Sequence, residues 1–477
     1  MNKRLVKLAL ATLIGFTCSS LAMAQNTSTV SSTGNNLEAV VTQTQSGDSG
    51  NEATVTQGSP LTPASYHSAY IQQVGSSNTA VQTQNGANYP TKEYLDEAPL
   101  HTDLPTGDKY PQPQVDVDTD GDGNPDSTIN PDAYISQNGI GNEASQTQTN
   151  QNNFAYIEQD GTDNTATQEQ ESLTDGYNNV YMGNFAVIYQ SGNENDAQQH
   201  QKGRSYAYIE QTGNNNQSTQ TQTEGPSQGG IAYNLRNYAS TTQTGSDNFS
   251  NEDQEGLNNI SEVEQTGNRN TADVFQTQES LTAAAYPNSG NSSSIDQIGN
   301  DNNAEVEQYG RNNESNILQD GDDNTATVTQ QSAYAGNPNF GNHSSIDQNG
   351  DANDAIVEQY GRNNESNILQ DGNDNTASVK QSGSSLNYGR DNFSNIKQDG
   401  GSNIADVYQY GSEHSSDIQQ QGSYNEAFLD QDGTGHESII LQYDSYNFAT
   451  ASQTGTGHIS NITQNGLNNY ASVTQTN

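Results

Sequence analysis

A glutamine recurs at every eleventh residue over long stretches of this chain, and this spacing restricts the folds that are open to it. A fixed internal period indicates a repeat architecture, in which small units stack on one another to share a core. The longest run comprises Gln398, Gln409, Gln420, Gln431, Gln442, Gln453, Gln464 and Gln475. Shorter runs comprise Gln297, Gln308, Gln319 and Gln330, and then Gln348, Gln359, Gln370 and Gln381. One small structural unit is therefore expected to be used many times.

Other residue types keep the same phase as the glutamines, which gives the unit N-x-A-x-V-x-Q-x-G-x-x. In one clear copy, Asn324, Ala326, Val328 and Gln330 alternate with threonines, and alternation places them on one face of a β-strand. The glycine tolerates a positive φ and predicts a turn. The predicted turn glycines are Gly299, Gly321, Gly350 and Gly372, and the asparagines in phase with them are Asn302, Asn324, Asn353 and Asn375. Each unit is thus predicted to be a seven-residue strand, from Asn to Gln, followed by a turn.

Two consecutive units are expected to form a strand–turn–strand arch, because a single strand cannot bury its apolar face alone. Stacked arches bring each glutamine above the one 22 residues away, at a spacing of about 4.8 Å. Since a primary amide donates and accepts, such a ladder satisfies its own hydrogen bonds. The ladder is predicted at the glutamines from Gln398 to Gln475 given above, at Gln297, Gln319, Gln348 and Gln370, and at the four asparagines. The predicted fold is all-β: a stacked β-arch solenoid of the cross-β type, with two short strands per repeat and loop insertions.

The chain is predicted to begin with a signal peptide that is cleaved after Ala24. Basic residues open the chain, a short apolar run follows at 8–16, and small residues precede the cleavage position. The remaining segments are predicted as a flexible export segment at 25–36, first repeats at 37–87, a Pro- and Asp-rich insertion at 88–132, repeats with loop insertions at 133–390, and uninterrupted repeats at 391–477. The sequence therefore predicts a secreted protein.

Composition and charge exclude several classes of protein. Only 29% of the residues are hydrophobic, which is too few for the thick core of ordinary globular domains. The formal net charge of −44 opposes binding to nucleic acid and to anionic membranes. Cys18 is the only cysteine and lies in the signal segment, so a mature chain without it has no disulfide. No catalytic motif is recognisable, and the chain is not expected to be an enzyme.

The pattern Ser-x5-Gln-x-Gly-x2-Asn-x-Ala-x3-Gln describes the curlin repeat, and this chain resembles it. Between Asn291 and Gln308, the residues Gln297, Gly299, Asn302 and Ala304 stand in register, with Asn291 in place of the opening serine. The resemblance implies a subunit of curli, extracellular amyloid fibres that support the biofilm matrix and cell adhesion. It also implies a nucleator subunit, export from the periplasm through an outer-membrane pore, and an export signal in 25–36. Since the open ends of a stack present unpaired backbone groups, end-wise templating of further identical subunits is expected.

Two smaller features each allow two interpretations. Asp118, Asp120, Asp122 and Asp126 follow the spacing of a calcium loop, but the usual glutamate at the twelfth position is missing. Calcium is thus one interpretation, with no other cofactor expected, and an acidic linker is the other. His414, His436 and His458 are spaced by 22 residues and occupy the asparagine position. They predict either a stacked pH-sensitive or metal-binding column, or a simple replacement of asparagine.

Two functions other than fibre formation also remain open from the sequence. The first is a surface β-solenoid adhesin that does not polymerise, and the second is a disordered acidic matrix polymer. The fixed phase of the repeat argues against disorder.

Overall fold

The computed structural model describes fifteen stretches of the chain. They are 25–35, 37–47, 49–58, 64–65, 68–85, 115–117, 127–129, 133–149, 153–172, 183–203, 205–224, 237–278, 290–332, 341–383 and 390–477. They divide into two compact units, Met1–Asn216 and Gln217–Asn477. Regular structure in the described stretches is entirely β.

The described strands of the first unit carry the labels β1 to β16. They are β1 Thr27–Ser32, β2 Gly34–Asn35, β3 Glu38–Gln45, β4 Glu52–Gln57, β5 Ala64–Ser65, β6 Ser68–Ser76, β7 Thr79–Asn85, β8 Val115–Val117, β9 Ser127–Ile129, β10 Ala133–Ile140, β11 Glu143–Thr149, β12 Phe154–Thr162, β13 Thr165–Glu171, β14 Phe185–Asn193, β15 Asp196–Lys202 and β16 Ser205–Asn214.

The described strands of the second unit carry the labels β17 to β37. They are β17 Gln217–Thr223, β18 Asn237–Ser246, β19 Phe249–Glu255, β20 Ile260–Asn268, β21 Thr271–Thr277, β22 Ser292–Asn300, β23 Asn303–Tyr309, β24 Glu314–Asp320, β25 Thr325–Ser332, β26 His343–Asn349, β27 Asp354–Gly361, β28 Glu365–Asp371, β29 Thr376–Ser382, β30 Phe393–Gly401, β31 Ile404–Ser412, β32 Ser415–Ser423, β33 Glu426–Thr434, β34 Glu437–Tyr443, β35 Phe448–Thr456, β36 Ile459–Asn465 and β37 Tyr470–Thr476.

Each unit contains two long parallel sheets, and consecutive long strands alternate between them; the first unit also has the two-stranded sheets β2–β5 and β8–β9. In the first unit, one sheet runs β1-β4-β7-β11-β13-β15 and the other runs β3-β6-β10-β12-β14-β16. In the second unit, the odd-numbered strands from β17 to β37 form one sheet. The even-numbered strands from β18 to β36 form the other. The predicted all-β stack of arches is confirmed.

The predicted register holds across the insertions as well as within the uninterrupted runs. Gln297 pairs with Gln319 at a separation of 22 residues, whereas Gln319 pairs with Gln348 across an insertion at a separation of 29. The inserted residues 333–340 lie outside the described stretches. The strands therefore return to the same phase after an insertion.

A thin apolar core runs between the two sheets of each unit. Along each strand, buried and more exposed residues alternate, as in β25, where Ala326, Val328 and Gln330 are buried. In the second unit, the core consists mainly of columns of Ala and Val from one sheet and of Ile from the other. The corresponding cluster of the first unit contains mainly Ala and Ile. Because one strand contributes only one or two apolar side chains to these clusters, each arch depends on its neighbours for burial.

Strand boundaries depart from the prediction at both ends. The strand predicted to begin at Asn324 begins at Thr325, because Asn324 uses its side chain to hold the turn. Strand β22 continues through Gly299 to Asn300. Gly299 therefore turns the chain and also pairs with a glycine of the neighbouring strand. A second residue with positive φ follows it, Asp301 in this case.

Candidate functional site

The inward-facing glutamines form continuous columns in the second unit. In the sheet of even-numbered strands, each glutamine side chain donates its Nε2–H to Oε1 of the next, over distances of 2.8–2.9 Å. This column comprises Gln297, Gln319, Gln348, Gln370, Gln398, Gln420, Gln442 and Gln464. The facing sheet carries Gln409, Gln431, Gln453 and Gln475, joined in the same direction at 2.8–3.0 Å. All donations point towards the C-terminus, so each column has a direction.

Each of these glutamines donates its second amide hydrogen to a backbone carbonyl group of the opposite sheet. Gln420 Nε2 donates to Ile404 O at 2.8 Å, and Gln431 Nε2 donates to Ser415 O at 3.2 Å. One side chain therefore joins two rungs within its own sheet and also binds the sheet that faces it. A buried amide with all these partners avoids the free-energy cost of an unsatisfied polar group.

The asparagines form a second kind of column at the turns. Asn324 donates from its backbone N to Asn302 Oδ1 at 3.0 Å and from Nδ2 to Gly350 O at 2.7 Å. Asn353 repeats both contacts, to Asn324 Oδ1 and to Gly372 O. Asn375 donates in the same way to Asn353 and to Gly400. The asparagine side chain thus holds the turn of the following rung in place by a hydrogen bond to its glycine carbonyl group.

The four predicted turn glycines have positive φ values between 118° and 137°. Gly299, Gly321, Gly350 and Gly372 follow one another along the stack, and a Cβ on any one of them would collide with the carbonyl group of the next glycine. A side chain is therefore excluded here by two independent effects, the backbone conformation and the close approach of the neighbouring rung.

This part of the chain matches the sequence model of the curlin-associated repeat at residues 299–331, 341–372, 350–383 and 389–422. The chain carries curlin-associated repeats. This match suggests a subunit of the curli type. Among curated proteins, none matches the chain significantly. The curlin repeat is a structural motif, and the fold described above is consistent with a structural role.

In the C-terminal strands, three histidines take the place of asparagine. His436 N donates to His414 Nδ1 at 3.3 Å, and His458 N donates to His436 Nδ1 at 3.1 Å. Successive rings stack with centroids 5.1 Å apart. Burial lowers the pKa of His414 to about 4, which favours the neutral ring that can accept this hydrogen bond.

One buried carboxyl group interrupts the pattern in the second unit. Glu252 on β19 is fully buried, between Gln220 and Val274 in its own sheet. Its Oε1 accepts hydrogen bonds from Gln220 Nε2, at 2.9 Å, and from Thr241 Oγ1 of the facing sheet, whereas Oε2 has no hydrogen-bond partner among the described residues. Burial raises the pKa of Glu252. The repeat pattern did not single out this residue, although it occupies the valine position of its repeat.

A second glutamine column in the first unit was likewise not predicted from the sequence. Gln146 and Gln148 of β11 both face inward and donate to Gln168 and Gln170. This second column could have been recognised in the sequence, because glutamine replaces the usual valine and so occurs at two alternate positions of the same strand. This unit thus has more amide columns and fewer β-branched side chains between its sheets.

The outer face of the first unit carries columns of aromatic rings. Tyr70, Tyr134 and Tyr156 stack in sequence, with centroids 5.1 Å and then 4.7 Å apart. Phe154 and Phe185 form a parallel stack beside them. Burial raises the pKa of Tyr70 to about 12, so its phenol stays neutral at physiological pH.

Several predicted sites lie outside the described stretches. They are the cleavage position Ala24 and the acidic residues Asp118, Asp120, Asp122 and Asp126. In the described ranges, no group of three or more His, Cys, Asp or Glu side chains is arranged to hold a metal ion. The same ranges contain no helix that could span a membrane.

Proposed function

We propose that this chain is a structural subunit of extracellular curli-like amyloid fibres, which supports the biofilm matrix and cell adhesion. The observation that carries the proposal is the directional glutamine column. Every inward glutamine of the curlin repeats passes a hydrogen bond to the next rung, and a second copy of the chain can continue the same series. The predicted ladder residues would then have the same role between subunits as within one.

The last two strands support addition of a further copy at this edge of the second unit. Ala471, Val473 and Gln475 of β37 are only half-buried, whereas the equivalent residues of β35 are buried. Ile459 and Tyr470 are 66% and 73% exposed. Unpaired strand edges of this kind template the binding of another strand.

The amide groups at this edge supply donors for such a contact. Gln464 Nε2 donates to Phe448 O and Gln475 Nε2 donates to Ile459 O, both at 2.9 Å. The second hydrogen of each amide has no acceptor among the described residues. A glutamine of an added copy would accept it, and this would repeat the geometry of the internal rungs.

The family resemblance extends the proposal to partners and location. A nucleator subunit would start growth at the cell surface, and an outer-membrane pore would export the chain after cleavage at Ala24. The acidic residues from Asp118 to Asp126 are proposed as a calcium loop. Calorimetric titration of a peptide spanning 115–131 with calcium tests this part separately.

Seeded assembly tests the proposed function. Residues 25–477 are diluted from denaturant, and growth is followed by thioflavin fluorescence and electron microscopy, with and without sonicated fibres as seeds. We expect fibres, and a lag phase that seeds shorten. A stable monomeric peak without fibres would instead identify a surface adhesin that does not polymerise, and fibres whose lag is unchanged by seeds would contradict end-wise templating.

A further inference from the structure

An isolated pair of exposed tyrosines stands on one edge of the second unit. Tyr424 and Tyr446 occupy equivalent turns of successive rungs, and their rings stack with centroids 5.0 Å apart and planes 7° from parallel. Their exposed fractions are 53% and 56%. Both rings are therefore accessible to a large reagent and already adjacent to each other.

Tyrosine is energetically unfavourable at these two positions because of the backbone conformation there. Tyr424 and Tyr446 have φ values of 58° and 60°, and a bulky side chain in this left-handed region costs roughly 1–2 kcal/mol. The flanking rungs carry Ser402 and Asn468 at the same turn position, which are small or polar. This column of turn positions thus contains two consecutive aromatic residues, although the left-handed conformation favours small or polar residues.

We propose that Tyr424 and Tyr446 are a site of oxidative cross-linking, which joins the two rungs through a dityrosine bond. The oxidant is a haem peroxidase acting with hydrogen peroxide. Because the two residues belong to one chain, the reaction requires a single folded copy and does not depend on fibre formation.

The chemistry balances with one molecule of peroxide per bond. Each phenol gives up its O–H hydrogen atom to the oxidised haem, which leaves two tyrosyl radicals with unpaired spin at the ring carbons beside the oxygen. These carbons form one C–C bond, and the hydrogen on each then moves to the phenolic oxygen and restores both phenols. In total two protons and two electrons leave the pair, and peroxide takes them up to give two molecules of water.

The fold supplies the proximity that the coupling needs. The backbone N of Tyr424 donates to Gly401 O and that of Tyr446 donates to Ser423 O, both at 3.0 Å, so the two turns are held in register. Radicals held side by side couple as an effectively unimolecular reaction. The stack of Tyr134 and Tyr156 has similar ring spacing, but Tyr134 is partly buried and Tyr156 is buried, so a peroxidase has much less access to it.

Peptide mapping of the oxidised full chain tests the inference. The folded protein is treated with a haem peroxidase and hydrogen peroxide, then digested with a protease that cuts after Glu and Asp, since Glu426, Asp430, Asp432 and Glu437 separate the two tyrosines. We expect a cross-linked pair of peptides that contains Tyr424 and Tyr446 and lacks two hydrogens. Its yield should exceed that of cross-links to Tyr443 by at least about tenfold.

Two variants and one solvent control sharpen the test. Tyr446→Phe keeps a stacked ring but should abolish this cross-link, whereas Tyr443→Phe, a change at another exposed tyrosine close by, should leave it unchanged. The cross-link should also be lost when the chain is oxidised in denaturant. Equal yields in folded and denatured protein, no excess over Tyr443, or coupling only between isotopically distinct copies would overturn the inference.

Discussion

At the scale of single residues, the interior of this protein depends on side chains that both donate and accept hydrogen bonds. Gln420 accepts from Gln398 and donates to Gln442 and to the opposite sheet, so it can stand anywhere within a column. An ionised glutamate only accepts. Glu252 can receive the hydrogen bond from Gln220 but cannot pass one to Val274, and the polar column on that strand position stops there.

Replacement of Glu252 by glutamine should stabilise the protein at neutral pH. Because burial raises the pKa of Glu252 above its usual 4.5, the folded state favours the neutral acid. Stability from this group is therefore fully present below about pH 4.5 and is lost as the pH rises through the folded-state value. Glu252→Gln should raise the free energy of unfolding by at least about 1 kcal/mol at pH 7. Denaturant unfolding over a range of pH values measures this.

The difference between variant and wild type should shrink as the pH falls. No charged side chain faces Glu252 on the inward faces of β17, β18, β20 and β21, and Glu262 on the outer face of β20 adds only a repulsion. Glu255→Gln changes an exposed carboxylate on the same strand and provides the matched control. A gain in stability at pH 4 as large as that at pH 7 would contradict this explanation.

The inward position of Glu252 could be predicted from the sequence, but its partner could not. Glu252 and Thr241 each occupy the valine position of their own repeat, so the eleven-residue phase places both between the sheets. Their contact depends on how the two sheets are offset along the stack, which the repeat pattern does not specify. By contrast, the spacing alone places Gln297 above Gln319, because those two residues lie in the same sheet.

At the scale of the structural elements, the turns are less uniform than the strands. The repeat predicts one turn, x-G-x-x, after every strand. The structure has turns whose glycine lies within a paired strand, such as Gly299 in β22, and turns whose glycine follows the strand, such as Gly310 after β23. Both kinds occur in each sheet, since β24 ends before Gly321 and β33 continues through Gly433, and the local sequence around the glycine is similar in both.

Alanine at Gly321 should destabilise the stack strongly. A Cβ there would collide with the backbone of Gly350, and φ is 137°, so the neighbouring rung must move. We expect a loss of about 3 kcal/mol or more in the free energy of unfolding. Gly435→Ala is the matched control, because φ is 68° and no atom lies within 4 Å of the added Cβ.

The control substitution should cost only the left-handed conformation itself, roughly 1–2 kcal/mol. Equilibrium unfolding in urea compares the two variants. Equal losses at Gly321 and Gly435 would mean that the close approach of successive rungs does not determine the need for glycine.

At the scale of the whole molecule, the repeat explains why so hydrophilic a chain can fold. The formal net charge is −44 and the mean hydropathy is −0.96, yet each rung buries two glutamines and a few small apolar residues against identical neighbours. Stability is then close to a sum over rungs and the contacts between them. Fibre growth as proposed here would extend these contacts from rungs of one chain to rungs of two.

Three consecutive glutamines on β32 allow the most direct test of this account. Gln420 faces inward, whereas Gln419 and Gln421 are exposed on the outer face. Gln420→Ala combined with Gln442→Ala removes two members of one column, and Gln419→Ala combined with Gln421→Ala removes two amides outside it. The measurement is the rate of growth on wild-type seeds, at equal concentrations of folded subunit.

Each inward deletion leaves neighbouring buried amides without a partner, at a cost of about 1–3 kcal/mol, so the inward variant should grow at least about tenfold more slowly. The outward variant should grow within about twofold of wild type, because exposed amides bind water instead. Equal growth of the two variants would contradict the claim that the glutamine columns hold the stack together.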